Sequence, residues 1–155
     1  MPAIATPALV HVADVNVEIG TPMVVGATAQ GLRRVIPITG GTVEGPRLSG
    51  RILPGGADFQ IIREDGLAEL HARYVIEASS GALVYVENTG IRHGPREAIE
   101  RLNRGEAVDP ALIYFRTVPR FETAAPALAW LTRGIFICSG ARHPDRVQLG
   151  YFEVT

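Results

Sequence analysis

The stretch "LIYFRTVPRFET", residues 112–123, carries residue types suited to acid–base chemistry on an organic anion. Tyr114 and Arg116 have the same parity, so on a regular strand they share one face while Phe115 takes the other. Arginine's planar fork matches the two oxygens of a carboxylate or enolate. A tyrosine hydroxyl donates to an oxyanion, and a neighbouring Asp, Glu or His moves a proton. Asp58 and Arg73 are expected to face the same space as Tyr114 and Arg116, which makes these four the candidate catalytic set. Two arginines there attract an anion unless Glu122 or Glu87 compensates their charge. Such a set supports isomerisation, decarboxylation, dehydration or cyclisation without a cofactor. It equally supports plain binding of an organic acid, and the same residues also serve as ordinary ion pairs between strands.

Other chemistries are excluded by what the chain lacks. All 15 cationic side chains are arginine, so there is no side-chain amine for a Schiff base and no P-loop lysine. "TGGTVEG" is glycine-rich but ends without the GK[ST] of a phosphate cradle. No dinucleotide fingerprint and no GxSxG elbow occurs. His11, His71, His93 and His143 are dispersed, with no HExxH or Cys/His pairing, so no metal site is expected. Cys138 is the single cysteine and lies in the apolar run "FICSG", where a buried structural role is expected. Formal net charge is −1, too little to recruit nucleic acid or an acidic membrane surface. No basic segment precedes a long apolar stretch at the N-terminus, and no run is long enough to span a bilayer as a helix. A cytoplasmic location is the expectation.

The elements that must position these residues are mostly strands. At 155 residues, with 46% hydrophobic and 20% charged side chains, the chain suits one domain, residues 1–155, with a real core. Gly and Pro recur every eight to twelve residues or so between β-like runs, the spacing of a sandwich or barrel. In "LVHVADVNVEIG" the apolar set changes parity near Asp14, the mark of a bulge. "RRVIPITGGTVEG" is read with a turn at Gly40-Gly41, and "PGGA" marks another turn. Two amphipathic helices interrupt the pattern. "GPREAIERLNRG" opens on Pro95, carries Ile99 and Leu102 on one stripe and stops at Gly105. "PALAWLTRG" repeats the plan with Pro126, Leu128, Leu131 and Gly134. The architecture expected from the spacing is all-β, a sandwich or barrel of about eight to ten strands, with one or two short helices on an end or flank.

Two hairpins allow residues to be paired on paper. With Asp65-Gly66 as a two-residue loop, Asp58 falls opposite Arg73 and Gln60 opposite His71. With Ser80-Gly81 as the next loop, Arg73 also falls opposite Asn88. The result is an Asp58–Arg73–Asn88 row, with Gln60 and His71 beside it. That face is either the wet side of the sheet or the wall of a lumen. Arg92 and His93 in "GIRHGPRE" sit just before a helix start, where an anion can bind or solvent can reach. Trp130 is either a core anchor or a wall on which a ligand stacks.

The blocks "RRVIPITGGTVEGPRLSGRILPGGADFQ", "ARY", "GIRHGP", "YFRTVPRFET", "AWL" and "YFEV" follow one another over most of the chain. In these blocks and their order the sequence resembles the bacterial domain of unknown function 3237 family. The resemblance implies a compact antiparallel β-barrel, often a homo-oligomer, with no established general activity. It marks Arg51, Asp58, Arg73, Arg92, Tyr114, Arg116, Glu122 and Trp130 as positions matching the family pattern. His71 stands where the pattern has an acidic residue. Together the readings predict a barrel whose cavity binds a small organic molecule, anionic or aromatic, with Arg51, His71, Asn88, Arg92, Glu122 and Trp130 as ligand contacts. Catalysis as a cofactor-independent lyase or isomerase, non-catalytic binding and a purely structural oligomer all remain open.

Overall fold

The computed structural model describes all 155 residues. Ten strands are formed: β1 Leu9–Ile19, β2 Met23–Thr28, β3 Gly31–Glu44, β4 Gly50–Ile52, β5 Gly56–Ile62, β6 Ala68–Ala78, β7 Leu83–His93, β8 Tyr114–Thr123, β9 Ile135–Arg142 and β10 Arg146–Val154. Every pairing is antiparallel. The sheet closes on itself: β3 pairs with β1, β1 with β10, and the ladder runs through β9, β8, β7 and β6 back to β3 by way of β4 and β5. The result is an eight-stave barrel with two extra strands. β4 and β5 share one stave, and β2 extends the β1–β3 arm past the barrel rim. No helix is long and apolar enough to cross a membrane.

Three local expectations are corrected. β3 runs straight through Gly40-Gly41 instead of turning there. A Cβ on Gly41 would lie 2.1 Å from the Asn16 carbonyl oxygen, so glycine serves the close approach of β1, not a reversal. At "PGGA" the expected turn forms at Pro54-Gly55 but does not reverse the chain, since β4 and β5 both run antiparallel to β3 within one stave. The third correction concerns the hairpins. Arg63 N–H donates to Leu67 O and Ala78 N–H to Ala82 O, so each loop has three residues, Glu64–Gly66 and Ser79–Gly81. Gly66 and Gly81 close them at φ +87° and +88°, the left-handed position that ends a type I turn with a bulge. One extra loop residue shifts the register by one and sends each affected side chain to the other face. The bulge expected in β1 is present, between His11 and Ala13.

The helix α1, Arg96–Asn103, buries Ala98, Ile99 and Leu102 against Val108. The second helical segment, Pro126–Thr132, is a 3₁₀ helix; its Leu128 and Leu131 are three apart and therefore aligned, and Leu131 is fully buried. It closes one end of the barrel with Phe121, Phe136 and Tyr151, whose rings pack edge to face. The other end, bounded by the start of β3, the end of β7 and the end of β9, is lined by polar side chains.

Candidate functional site

The corrected register determines which residues meet inside the barrel. Asp58 pairs with Ala72, and Ala72 pairs with Asn88, so the inward row is Asp58–Ala72–Asn88. Arg73 lies between Ala57 and Glu87 and points outward. Asp58 and Asn88 thus share the lumen as expected, while Arg73 does not join them.

Asp58, Gln60, Tyr74, Asn88, Arg92, Thr117 and Arg142 line a chamber at the polar end. Its remaining wall is aliphatic, from residues such as Val17, Ile38, Leu70, Val147 and Leu149, with Phe115 beside Arg92. The chamber and its open mouth together hold about 540 Å³ of atom-free space. The enclosed cavity itself is about 50 Å³, below the usual range of small-molecule sites, so the chamber is a narrow slot that a slim or flat occupant must widen.

A hydrogen-bonded chain crosses this slot. Arg34 Nη2 donates to Gln60 Oε1 at 3.0 Å, and Gln60 Nε2 donates to Asp58 Oδ2 at 2.8 Å. The other Asp58 oxygen accepts the His71 backbone N–H at 2.9 Å. Burial pushes the Asp58 carboxyl above its ordinary range, although the Gln60 and His71 hydrogen bonds and the Arg92 charge act the other way. Burial lowers Arg92 to about 10 against the pull of Asp58, and Arg142 and Arg34 lower it further by repulsion. Arg34 and Arg142 are themselves lowered, chiefly by burial. Asp58 is thus the counter-charge of Arg92 and Arg34, while Arg142 has Asp145 near it. Arg34 Nε and Arg142 Nη1 have no partner among the protein's own groups. Deeper down, the Tyr74 and Tyr151 hydroxyls are hydrogen-bonded to each other, and burial raises both above the usual phenol range. Cys138 is fully buried with its thiol pushed up to about 12, so it is inert as a nucleophile.

The remaining predicted site residues lie outside. Tyr114 and Arg116 do share a face, but it is the outer one: Tyr114 is 47% exposed and stacks on His93, and the Arg116 guanidinium lies 5.3 Å from the Tyr114 ring. β8 alternates strictly, and its buried set Phe115, Thr117, Pro119 and Phe121 takes the lumen face. Arg116 thus bounds an outer groove, and this face of the strand is a wet outer wall. His71 bonds Glu87 at 2.7 Å on the same outer surface as Arg73. Arg51 pairs with Glu77 at 3.0 Å, and Glu122 is exposed. Trp130 belongs to the closed end, where Arg47 lies 4.1 Å over its ring. Of the ten predicted site residues, Asp58, Asn88 and Arg92 reach the chamber.

Arg34, Thr117 and Arg142 were not anticipated, yet parity marks each. Arg34 is in step with inward Ile36 and Ile38, Thr117 with Phe115 and Phe121, and Arg142 with Phe136 and Cys138. A charged residue in phase with a buried apolar set is the signal. No three His, Cys, Asp or Glu side chains gather as a metal site would require.

Comparison with known proteins agrees with the architecture. The sequence pattern of a family described as protein of unknown function (DUF3237) matches residues 7–154. A "UPF0311 protein" of Rhodopseudomonas palustris is 52% identical over 144 residues, covering 93% of this chain and 94% of that protein. The crystal structure of a conserved R. palustris protein of unknown function superposes with a TM-score of 0.95 at 49% identity, over 98% of this chain and 100% of that one. A β-barrel-like protein of Acinetobacter baumannii superposes at 0.88 with 37% identity, over the whole of both chains. More distantly, a PR-toxin biosynthesis cluster protein of Penicillium roqueforti is 26% identical over 81% of this chain and 77% of that protein. An enzyme of Penicillium herquei shares the fold at a TM-score of 0.74 and 19% identity, over the whole of both chains.

Proposed function

The chain belongs to the DUF3237 family of proteins of unknown function, and from that premise we propose that its chamber binds a small organic acid and moves a proton on it without a cofactor. One observation carries the reading: Arg92 and Arg142 line a mostly apolar slot whose one lining carboxylate is Asp58, with Arg34 held behind Gln60 and Arg142 also near Asp145. A buried excess of guanidinium charge is costly until an anion offsets it. The arginine forks hold the carboxylate or developing enolate of the ligand. Asp58, made more basic by burial, takes a proton from the carbon beside a carbonyl and returns it at another position, which is isomerisation. Loss of a neighbouring leaving group from the same enolate is the lyase outcome. The likeness to a fungal enzyme and to a biosynthesis cluster protein supports chemistry over storage.

The test is a thermal-shift and calorimetric screen of small aliphatic and aromatic carboxylic acids. Parent protein should be stabilised by a subset of them. Arg92→Gln should lose at least about tenfold in affinity, the effect of removing one charge-assisted pair, while melting at the parent temperature or above. Arg116→Gln, on the outer wall, should bind like the parent. Proton exchange from the bound acid into deuterated water, lost in Asp58→Asn, separates catalysis from binding. An Arg92→Gln variant that binds as tightly as the parent would sink the proposal.

A further inference from the structure

Beneath the arginines, the chamber floor holds two polar atoms without an ordinary hydrogen bond. Asn88 and Thr117 are 3% and 4% exposed, and both line the chamber. Thr117 pairs with Gly90, so Asn88 lies one inward position further along β7 and the two are diagonal neighbours. Asn88 Nδ2 is turned to Cys138 Sγ at 3.8 Å, which leaves Oδ1 facing away from that contact. Asn88 Oδ1 and Thr117 Oγ1 make no hydrogen bond of ordinary length and angle within the protein, their polar neighbours being the weakly bonding Cys138 thiol and the engaged Tyr74 hydroxyl. Tyr74, beside them, is already engaged with Tyr151. Buried polar atoms of this kind are rare and costly unless something satisfies them.

The donor and acceptor inventory narrows what can. Asn88 Oδ1 only accepts, so it requires an O–H or N–H; Thr117 Oγ1 can both donate and accept. A ketone or ether oxygen would take the threonine proton and leave Asn88 Oδ1 unpaired. A hydroxyl satisfies both, donating to Asn88 and accepting from Thr117. The spacing agrees with a single ligand. Arg92 and Asn88 are four residues apart on one strand face, ~13 Å between Cα atoms, part of which the arginine side chain spans. Leu70, Ala72, Phe115 and Leu149 line the chamber with them and offer only apolar surface. Resting on the organic-acid reading above, we propose that the floor is a second subsite for a neutral hydroxyl, so that the substrate class is a hydroxylated acid: an anionic head, a flat or slim apolar body, and an alcohol or phenol at the far end.

The experiment measures calorimetric affinity of the parent and of Thr117→Val for matched probe pairs: benzoate with 3- and 4-hydroxybenzoate, and cyclohexanecarboxylate with its 3- and 4-hydroxy derivatives. Valine keeps the threonine shape and removes the hydroxyl, so folding is preserved; Thr117→Ser, which restores the hydroxyl, is the rescue. In the parent, at least one hydroxylated acid should bind about tenfold or more tighter than its unsubstituted partner, the discrimination expected when a buried site is built around a hydroxyl. Thr117→Val should bring that ratio close to one while leaving the unsubstituted acid unaffected, and Thr117→Ser should restore it. Equal affinities within every pair, or a preference that survives Thr117→Val, overturns the floor subsite but leaves the organic-acid reading standing, with ordered water as the partner of these atoms. If no acid of either kind binds the parent, the organic-acid reading fails and this inference fails with it.

Discussion

Asp58 differs from the other acidic residues of the protein because it is buried in the slot beside Arg92 and Arg142. Its raised pKa has a definite consequence for ligand binding. An anion seated against Arg92 and Arg142 repels the ionised carboxylate and favours the protonated one. Binding therefore takes up a proton, and affinity falls as pH rises from the free protein's raised Asp58 value through the higher value in the complex; proton abstraction belongs to the complexes in which Asp58 is still ionised. Calorimetry over a pH series, above the ligand's own pKa, should show this fall in the parent and a flat profile in Asp58→Asn. An identical slope in both would mean that Asp58 does not share the ligand's space. The same shift affects folding. A folded pKa above the unfolded one means that this group's contribution to stability is greatest in acid and declines as pH rises through that window. Asp58→Asn should remove that component of the stability–pH curve.

At the scale of elements, two three-residue loops decide the site. Gly66 and Gly81 occupy left-handed conformations with open space where a Cβ would go, so the strain of a side chain there is purely backbone. Gly66→Ala and Gly81→Ala should each cost about 1 kcal/mol in denaturant unfolding, the usual penalty for a non-glycine residue at positive φ. A neutral result at both would contradict the three-residue loops and the register that follows from them. Gly41→Ala should be far more damaging, because its Cβ would meet β1 backbone at 2.1 Å. In α1, Leu102 is buried with Ile99 against Val108. Leu102→Ala should lower stability by roughly 2 to 5 kcal/mol, read from the denaturation midpoint. An unchanged midpoint would place that stripe in water.

The molecule as a whole is one closed ladder with two different ends. One is packed with aromatic rings under the 3₁₀ helix, and the other holds the chamber. β1 and β10 close the ring between the two ends of the chain, so no stave can leave without breaking two ladders. Unfolding should be a single cooperative event, with coincident midpoints by far-ultraviolet circular dichroism and by fluorescence of Trp130. Trp130 is the only tryptophan, and it sits at the closed end beside Phe136. From Phe136 to Arg142 along β9 is ~20 Å of strand, so an acid in the chamber should leave Trp130 emission unchanged while raising the melting temperature. A large fluorescence change on binding would place the ligand at the wrong end.

Periodicity and punctuation by themselves determined an all-β sandwich or barrel, which the family resemblance narrowed to an antiparallel barrel, together with the bulge in β1, the helix that buries Ile99 and Leu102, and the shared face of Tyr114 and Arg116. These follow from local rules, since a period of two makes a strand and a proline opens a helix. Asp58, Asn88 and Arg92 were legible as candidates for the same reason. Which face looks inward was not legible, because it hangs on a single residue of loop length at Gly66 and at Gly81. "DG" and "SG" fit loops of two or three residues equally well at the level of sequence, and only ladder closure around the ring selects three. That selection turned Arg73 and His71 outward and kept Asp58 and Asn88 inside. It could not be read for Arg34 and Arg142 either, because they come from strands far apart in the chain and become neighbours only when the barrel closes.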